Sequence, residues 1–298
     1  PRPAERLDSR YQWIKRFLGN AHVISDAVMA PYGREVLARL SAQGQTVVLL
    51  IDQTKVSARH QVVMVAVRLG GRALPLAWQV KETQGAIGFA EQRAALEAAA
   101  RLLPADAKPV LMGDRFYGSP DLIAWCRGQG WDWRLRLKRD LLVFEDGGET
   151  TLAECFARGE HRLRDIELTE KRVRTNVAMV HEAGHPEPWM IALSQAPSVH
   201  TAFDYGLRWG IEAMFSDFKS RGFGLEDSQI RLPGRLDRLI LVMALALFWA
   251  VSTGMWDAAH RPTGAEKNPA TPDPEATPDP SPPCSSAGSG ASTPAFIS

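Results

Sequence analysis

Residues 46–80 read TVVLLIDQTKVSARHQVVMVAVRLGGRALPLAWQV, and this segment contains three apolar runs rich in β-branched side chains. The runs cover residues 46–51, 61–69 and 73–80, and polar or glycine-containing segments lie between them at 56–59 and 69–72. Short apolar runs bounded by such turn signals predict β-strands. Three strands joined by short turns predict an antiparallel meander.

The elements that follow the meander define the predicted fold class. Residues 89–103 are rich in Ala and Glu and predict a helix, residues 109–113 (PVLMG) predict a short strand, and residues 119–129 predict another helix. A meander followed by helix, strand and helix is typical of a ribonuclease-H-like order. We therefore predict an α/β chain with a ribonuclease-H-like catalytic domain.

A second group of strands predicts a β-rich insertion between Asp114 and Glu212. Residues 131–138 alternate apolar and polar side chains, and further strand candidates lie at 162–168, 172–181 and 189–194. Composition changes after residue 261, where Pro, Ser, Thr and Gly dominate and no core can form. The predicted domains are a helical and partial N-terminal segment (1–45), the catalytic domain (46–130 and 197–256), the insertion (131–196) and a disordered tail (262–298).

Composition limits the kinds of function that are possible. The 298 residues carry a net charge of +1, so a nucleic-acid surface has to come from local clustering of charge. Three cysteines without metal-like spacing favour a reducing cytoplasm. The chain begins with Pro1 and lacks a signal-peptide core, which indicates a start partway into a longer protein.

Two segments suggest other functions. Residues 239–256 carry no formal charge and approach the length of a membrane span, but Ser252, Thr253 and Gly254 favour a buried helix and no membrane partner. Residues 181–185 (HEAGH) fit the zinc-protease pattern HExxH, which requires a helix. The preceding β-branched run, Gly184 and Pro186 favour a strand that ends in a turn.

Two aspartates follow apolar strands. Asp52 comes directly after TVVLLI, and Asp114 comes directly after PVLMG. A carboxylate at the end of a buried strand is held rigidly and still reaches solvent, as a metal ligand must. A single aspartate there is more simply a turn or cap residue, but two similar placements favour a metal site.

A third carboxylate lies in a segment with helical periodicity. At about 100° per residue, one face of a helix presents four polar side chains and another presents four apolar ones. The polar set is Tyr205, Arg208, Glu212 and Lys219, and the apolar set is Leu207, Ile211, Met214 and Phe218. The alternative interpretation is a solvated face with an Arg208–Glu212 ion pair at i,i+4.

The spacing Tyr-x2-Arg-x3-Glu-x6-Lys in this segment resembles the signature of insertion sequence 4 type transposases, and all four positions match. Trp209 after the arginine and the Gly113-Asp114-Arg115 context are also similar to the family pattern. The resemblance covers about residues 46–255 and implies a catalytic, metal-binding triad of Asp52, Asp114 and Glu212.

The resemblance implies a DNA transposase that cleaves and transfers strands at the inverted-repeat ends of its element. It implies two Mg²⁺ or Mn²⁺ ions held by the three carboxylates, with Asp52 as the bridging ligand. Its partners would be element-end and target DNA and a second copy of the chain in a synaptic complex, in a cytoplasmic, nucleoid-associated location. Two alternatives stay open: a metal nuclease of the same fold, and a catalytically silent or truncated DNA-binding remnant.

The expected DNA-binding residues fall into two sets. The resemblance implies phosphate contacts by Tyr205, Arg208 and Lys219, with Trp209 beside them. The polar face of the 131–138 strand, which is either a DNA-backbone contact or an ordinary exposed face, adds Arg134, Arg136 and Lys138. Trp189 is expected in the core, with stacking on an extruded base as the alternative because some family members cut through a hairpin.

Overall fold

A mixed β-sheet dominates the computed structural model, which describes residues 7–145, 148–181 and 187–261. The predicted tail, the first six residues and all of the HExxH segment except His181 lie outside the described residues. The strands are β1 (Thr46–Lys55), β2 (His60–Leu69), β3 (Arg72–Glu82), β4 (Lys108–Gly113), β5 (Asp132–Arg136), β6 (Leu142–Glu145), β7 (Gly148–Thr151), β8 (Arg162–Leu168), β9 (Val173–Val180) and β10 (Trp189–Leu193).

The described part of the chain forms one ten-stranded sheet in the order β3-β2-β1-β4-β5-β10-β9-β8-β6-β7. Strands β1, β2 and β3 pair antiparallel, which confirms the predicted meander. Strand β4 lies parallel to β1, and β5 lies parallel to β4. The chain is therefore mixed α/β, as predicted, with three adjacent parallel strands at the centre of the sheet.

The segment predicted as the start of the insertion forms β5, the third of these parallel strands. Strand β5 pairs with β4 on one side and with β10 on the other, so the later strands continue the same sheet. Its predicted alternation is confirmed, because Trp133 and Leu135 are buried while Arg134 and Arg136 are only partly so. The β-rich insertion between Asp114 and Glu212 remains a prediction, and its strands belong to the same sheet as β1 and β4. The finer domain limits remain a prediction.

Helices accompany the sheet. They are α1 (Leu7–Gly19), α2 (Ser25–Leu40), α3 (Phe89–Ala100), α4 (Pro120–Gln129), α5 (Leu152–Ala157), α6 (Val199–Phe203), α7 (Gly210–Phe218) and α8 (Pro233–His260). Helices α2, α3 and α7 contact β3, and α3 and α7 also contact β2. Helix α4 begins after Ser119, whose hydroxyl accepts from the Leu122 amide at 3.3 Å.

The segment 202–220 is not one regular helix. Helix α6 ends at Phe203, a 3-10 turn covers Asp204–Trp209, and α7 begins at Gly210 and ends at Phe218. A 3-10 turn advances about 120° per residue instead of about 100°, so the predicted alignment of four polar side chains does not hold. The apolar side of the prediction is confirmed for Ile211, Met214 and Phe218, which are all buried.

Helix α8 contains the uncharged run 239–256. It crosses the boundary between two compact units, residues 1–243 and 244–298. Ile240 and Leu241 are buried, as predicted, whereas Trp249 is 76% exposed, so a wholly buried helix is wrong. By length and composition α8 could cross a membrane, and 33% of its most apolar window is buried. A single such helix is weak evidence, because core helices of soluble proteins pass the same test.

Candidate active site

Asp52 and Asp114 lie side by side at the carboxyl-terminal side of two adjacent parallel strands. Ile51 of β1 is level with Gly113 of β4, and each aspartate is the next residue of its strand. Asp114 follows β4 directly, as predicted. Asp52 does not close β1, which continues to Lys55, but it lies where its parallel neighbour ends. The register of the two strands therefore brings the two predicted carboxylates together. That they serve one site remains a prediction.

The loop from Asp114 to Gly118 is tightly packed against the sheet. The Phe116 amide donates to Asp114 Oδ1 at 2.8 Å, and the Tyr117 amide donates to the Asp114 carbonyl at 2.9 Å. A Cβ atom at Gly113 would meet the Tyr117 Cβ at 2.7 Å, and one at Gly118 would meet the Arg136 carbonyl oxygen at 2.1 Å. Glycine is needed at both positions because the backbone approaches its neighbours so closely.

Burial and repulsion shift the pKa of Asp52. Its side chain is 15% exposed. Burial and the neighbouring carboxylate of Asp114 raise the pKa of Asp52 to about 6, and Glu212 adds to the rise. The guanidinium of Arg208 and a hydrogen bond from the Gln53 amide act in the opposite direction. A carboxylate with a pKa this high favours a nearby cation, which would relieve the repulsion.

The guanidinium of Arg208 bridges Asp52 and Glu212. Its Nη1 donates to Asp52 Oδ2 at 3.2 Å, and its Nη2 donates to Glu212 Oε1. The Arg208 side chain is 10% exposed, and its Nε has no hydrogen-bond partner among the described residues. The i,i+4 ion pair that the sequence offered as an alternative is thus present. It is part of a larger arrangement, because the same arginine also holds a strand carboxylate.

Glu212 is the outermost of the three predicted carboxylates. It lies on the first turn of α7, and its side chain is 55% exposed. Over residues 7–145, 148–181 and 187–261, no three His, Cys, Asp or Glu side chains lie close enough together to hold a metal ion. The two aspartates are neighbours, whereas Glu212 binds the guanidinium that separates it from Asp52. The predicted triad is therefore only partly assembled.

Tyr205 does not lie on an exposed helical face. It is 2% exposed and belongs to a buried cluster with Trp189, Ile191 and Ala202. Burial raises the pKa of Tyr205 to about 12, and its hydroxyl has no hydrogen-bond partner among the residues described. The prediction that this side chain projects to solvent is wrong, because the 3-10 turn directs it into the core. A phosphate contact by its hydroxyl remains a prediction.

The two tryptophans near the site differ in exposure. Trp189 is 3% exposed and packs edge-on against Tyr205, with ring centroids 5.6 Å apart, so the predicted core position is confirmed. Trp209 is 47% exposed, and its ring lies 5.9 Å from that of Trp189. A base could reach Trp209 in this structure but not Trp189.

The remaining cations predicted to contact DNA have unequal surroundings. Lys219 lies just after α7, where its Nζ pairs with Glu226 Oε1 at 3.0 Å. Arg134 is 14% exposed and lies 3.4 Å from Asp204, whereas Lys138 is exposed. Arg136 is the residue after Leu135, which is level with Gly113, so Arg136 continues the row of Asp52 and Asp114 across a third parallel strand. The structure brings Arg136 into the site and leaves Lys138 outside it.

Sequence reasoning missed Tyr117. This side chain, three residues after Asp114, is fully buried and packs against Gly113. The only signal in the sequence is its place in a loop bracketed by Gly113 and Gly118, which indicates close packing without showing what the enclosed side chain faces.

These features define a class of protein. The mixed α/β sheet carries an acidic pair at the carboxyl-terminal side of two parallel strands, and Arg208 tethers Glu212 beside it. The chain belongs to the transposase DDE domain family, whose model matches residues 43–249. A transposase is a DNA-binding, DNA-cutting enzyme, and transposases with three such carboxylates generally use divalent metal ions.

Other comparisons add little. No curated protein matches the chain. One similar solved structure is Ciona intestinalis endonuclease V with a 24mer DNA containing an inosine followed by a ribo-adenosine, at 13% identity, 66% coverage of this chain, 87% of that chain and a TM-score of 0.30. A variant of that enzyme with a 23mer DNA matches at 12% identity, 76% and 97% coverage and a TM-score of 0.28. At TM-scores this low, neither similarity defines a shared fold.

Proposed function

We propose that this chain cuts DNA at the inverted-repeat ends of its own insertion sequence and joins the cut ends to target DNA. The observation that carries the proposal is the side-by-side placement of Asp52 and Asp114, with Glu212 tethered to Asp52 through Arg208. The strand order β3-β2-β1-β4-β5 supports a ribonuclease-H-like core. The spacing from Tyr205 to Lys219 supports the insertion sequence 4 type.

The residues present suit a hard divalent cation. All three carboxylates supply oxygen ligands, which Mg²⁺ and Mn²⁺ prefer. The pKa of Asp52 is raised by burial and then by repulsion from Asp114, and a bound cation would offset that repulsion. Asp52, Asp114 and Glu212 are the residues that would hold two such ions, with Asp52 as the proposed shared ligand. Such ions, when bound, would activate the attacking water or 3′-hydroxyl and stabilise the leaving oxygen.

The other side chains of the site would contact the DNA phosphates. The carboxylate of Glu212 has to exchange its contact with Arg208 for the position beside Asp52, and the released guanidinium is then available to a DNA phosphate. Arg136, on the neighbouring strand β5, can contact the DNA backbone. Further positive charge comes from Lys219, Arg134 and Lys138.

The partners follow from this chemistry. Both element-end and target DNA have to reach the row formed by Asp52, Asp114 and Arg136. The exposed ring of Trp209, the residue after Arg208, is available for stacking on a base. A second copy of the chain would pair the two element ends in a synaptic complex, in the cytoplasm and associated with the nucleoid.

The test is in vitro cleavage of a duplex that carries the inverted repeats flanking this gene, with a supercoiled plasmid as target. Wild-type protein with Mg²⁺ or Mn²⁺ should release the ends and join them to the plasmid, whereas the Asp114→Asn variant should do neither. Release of the DNA ends without joining to the plasmid would show that the chain is a metal nuclease instead of a transposase. Binding without cleavage in both metals would indicate a silent remnant.

A further inference from the structure

A groove of about 830 Å³ lies across strands β8 and β9, and none of the three proposed carboxylates lines it. Ala178 and Val180 of β9 line the groove, and α6 contributes Val199 and Phe203. The Val199 side chain is 40% exposed and that of Phe203 is 45% exposed. The groove is therefore partly apolar and open to solvent.

Two arginines of β8 bring positive charge to this groove. Arg162 and Arg164 both line it, and both are exposed. Arg162 is paired in register with Ala178, and residues that are paired across two strands share a face of the sheet. The register of β8 shifts between Leu163 and Ile166, and a β-bulge of this kind re-aims a side chain, here that of Arg164. Two guanidinium groups therefore face one groove.

The charges of these two guanidinium groups are not neutralised within the described part of the chain. The acidic residues nearest to them in the sequence are paired with other arginines. Glu160 pairs with Arg158 at 2.8 Å, and Asp165 pairs with Arg174 at 3.2 Å. Guanidinium groups bind phosphate through two parallel hydrogen bonds, so a pair of them without acidic partners suits a phosphate backbone.

Aromatic contacts connect the groove with the proposed active site. The Phe203 ring lies 6.5 Å from the Trp189 ring, which lies 5.9 Å from the Trp209 ring. Trp209 is the residue after Arg208, which bridges two of the proposed carboxylates. A duplex spans two such ring-to-ring steps in about four base pairs, since it rises about 3.4 Å per base pair. One DNA molecule can therefore reach both the site and the groove.

We propose that this groove binds the phosphate backbone of the DNA that enters the active site, with Arg162 and Arg164 as the phosphate-binding residues. This inference rests on the proposed function, because it takes DNA as the substrate. Phosphate contacts position a protein on DNA without reading its sequence. The groove would therefore raise the affinity for any duplex and would take no part in the cleavage chemistry.

The experiment measures binding of the inverted-repeat duplex by fluorescence anisotropy, in EDTA and over a range of salt concentrations. Arg162→Gln/Arg164→Gln should weaken binding about 10-fold or more at ~0.1 M salt. It should also lower the slope of log affinity against log salt by about 2, because two phosphate contacts are lost. A duplex of scrambled sequence should show the same losses. Tm and the cleavage rate at saturating DNA should be unchanged, because both residues are exposed and lie outside the proposed carboxylates.

Two further variants serve as controls. Arg162→Lys/Arg164→Lys keeps both charges and should retain the salt slope of the wild type. Arg39→Gln/Arg93→Gln also removes two positive charges, but these arginines are paired with glutamates on α2 and α3. This second control should bind DNA within about 2-fold of the wild type.

The outcomes separate this inference from the proposed function. Equal affinity and salt slope in the wild type and in Arg162→Gln/Arg164→Gln would overturn the groove as a DNA site. Equal weakening in Arg39→Gln/Arg93→Gln would also overturn it, because the effect would then be one of general charge.

Loss of binding to a polyglutamate peptide with unchanged DNA binding would instead identify a surface for an acidic protein and would overturn the inference. A wild type that binds the duplex without cleaving it, with the expected loss of binding in the groove variant, would contradict the proposed function alone. A wild type that binds no DNA would remove both proposals.

Discussion

The guanidinium of Arg208 lies within hydrogen-bonding distance of Asp52 on β1 and of Glu212 on α7, two residues that are 160 positions apart in the chain. One cation thus joins the central strand to the helix that carries the third carboxylate. Because the Arg208 side chain is 10% exposed and Asp52 is 15% exposed, this contact is shielded from solvent. It belongs to the stability of the site as well as to its chemistry.

Arg208→Ala should destabilise the metal-free protein by about 2–3 kcal/mol, because hydrogen bonds to charged groups contribute this much and Asp52 would lose its cationic partner. Urea unfolding measures the change. Arg93→Ala is the control, since Arg93 forms an exposed i,i+4 pair with Glu97 and should cost less than about 0.5 kcal/mol. Equal losses of unfolding free energy in the two variants would show that the Arg208 contacts stabilise the protein no more than an exposed ion pair does.

Glu212→Gln should lower metal-dependent strand cleavage by at least about 100-fold, because a metal-held carboxylate supports several kcal/mol of transition-state stabilisation. DNA binding should persist, since a carboxylate does not attract phosphate. Cleavage and mobility-shift assays on the same duplex measure the two properties. Glu97→Gln, on the exposed surface of α3, should retain both. A Glu212→Gln variant that cleaves normally would refute the triad.

Asp52→Asn should stabilise the metal-free protein above pH 6. The pKa of Asp52 is raised in the folded state, from 3.8 to about 6, so ionisation costs up to about 3 kcal/mol there. The contribution of protonated Asp52 to the free energy of unfolding of the wild type is fully present below pH 4. It is lost as the pH rises through 6.

The gain from Asp52→Asn should therefore be absent below pH 4, grow between 4 and 6, and stay constant above. Unfolding by urea at each pH value measures the difference. Added Mn²⁺ should stabilise the wild type and not the variant. A gain that is independent of pH would contradict the raised pKa.

Gly118→Ala should destabilise the protein by about 1–3 kcal/mol or more, because the new methyl group would overlap the Arg136 carbonyl. It should also weaken Mn²⁺ binding, because the loop that carries Asp114 would shift. The matched variant is Gly128→Ala in α4, where nothing lies within 4 Å of the added atom. That change should be neutral or stabilising by up to about 1 kcal/mol. Thermal unfolding distinguishes the two.

Much of the central fold was predictable because local periodicity decided it. The runs that became β1, β2 and β3 are continuous and apolar, and their turns contain glycine or polar residues, so the strands and their order could be read from the sequence. Strand β5 was also predicted as an element, but its parallel pairing with β4 was not. Pairing between distant strands depends on tertiary contacts that no local pattern encodes.

The site shows the same division. Asp52, Asp114 and Glu212 could be selected because strand ends and a signature spacing mark them in the sequence. The apolar periodicity of the sequence did not predict the 3-10 turn at Asp204–Trp209. In this turn the Tyr205 side chain is buried. Strands β6 and β7 were missed because they are four residues each, which is too short to show a clear periodicity.

By itself, the sequence determined which residues are candidates for the chemistry, through the residue types, their order and their spacing. Tertiary structure alone decided that Asp52, Asp114 and Arg136 share one level across three parallel strands, that Arg208 joins Asp52 to Glu212, and that Tyr205 is buried. The physical reason is that side-chain type is a local property, whereas register, burial and the pairing of charges arise only when distant segments pack together.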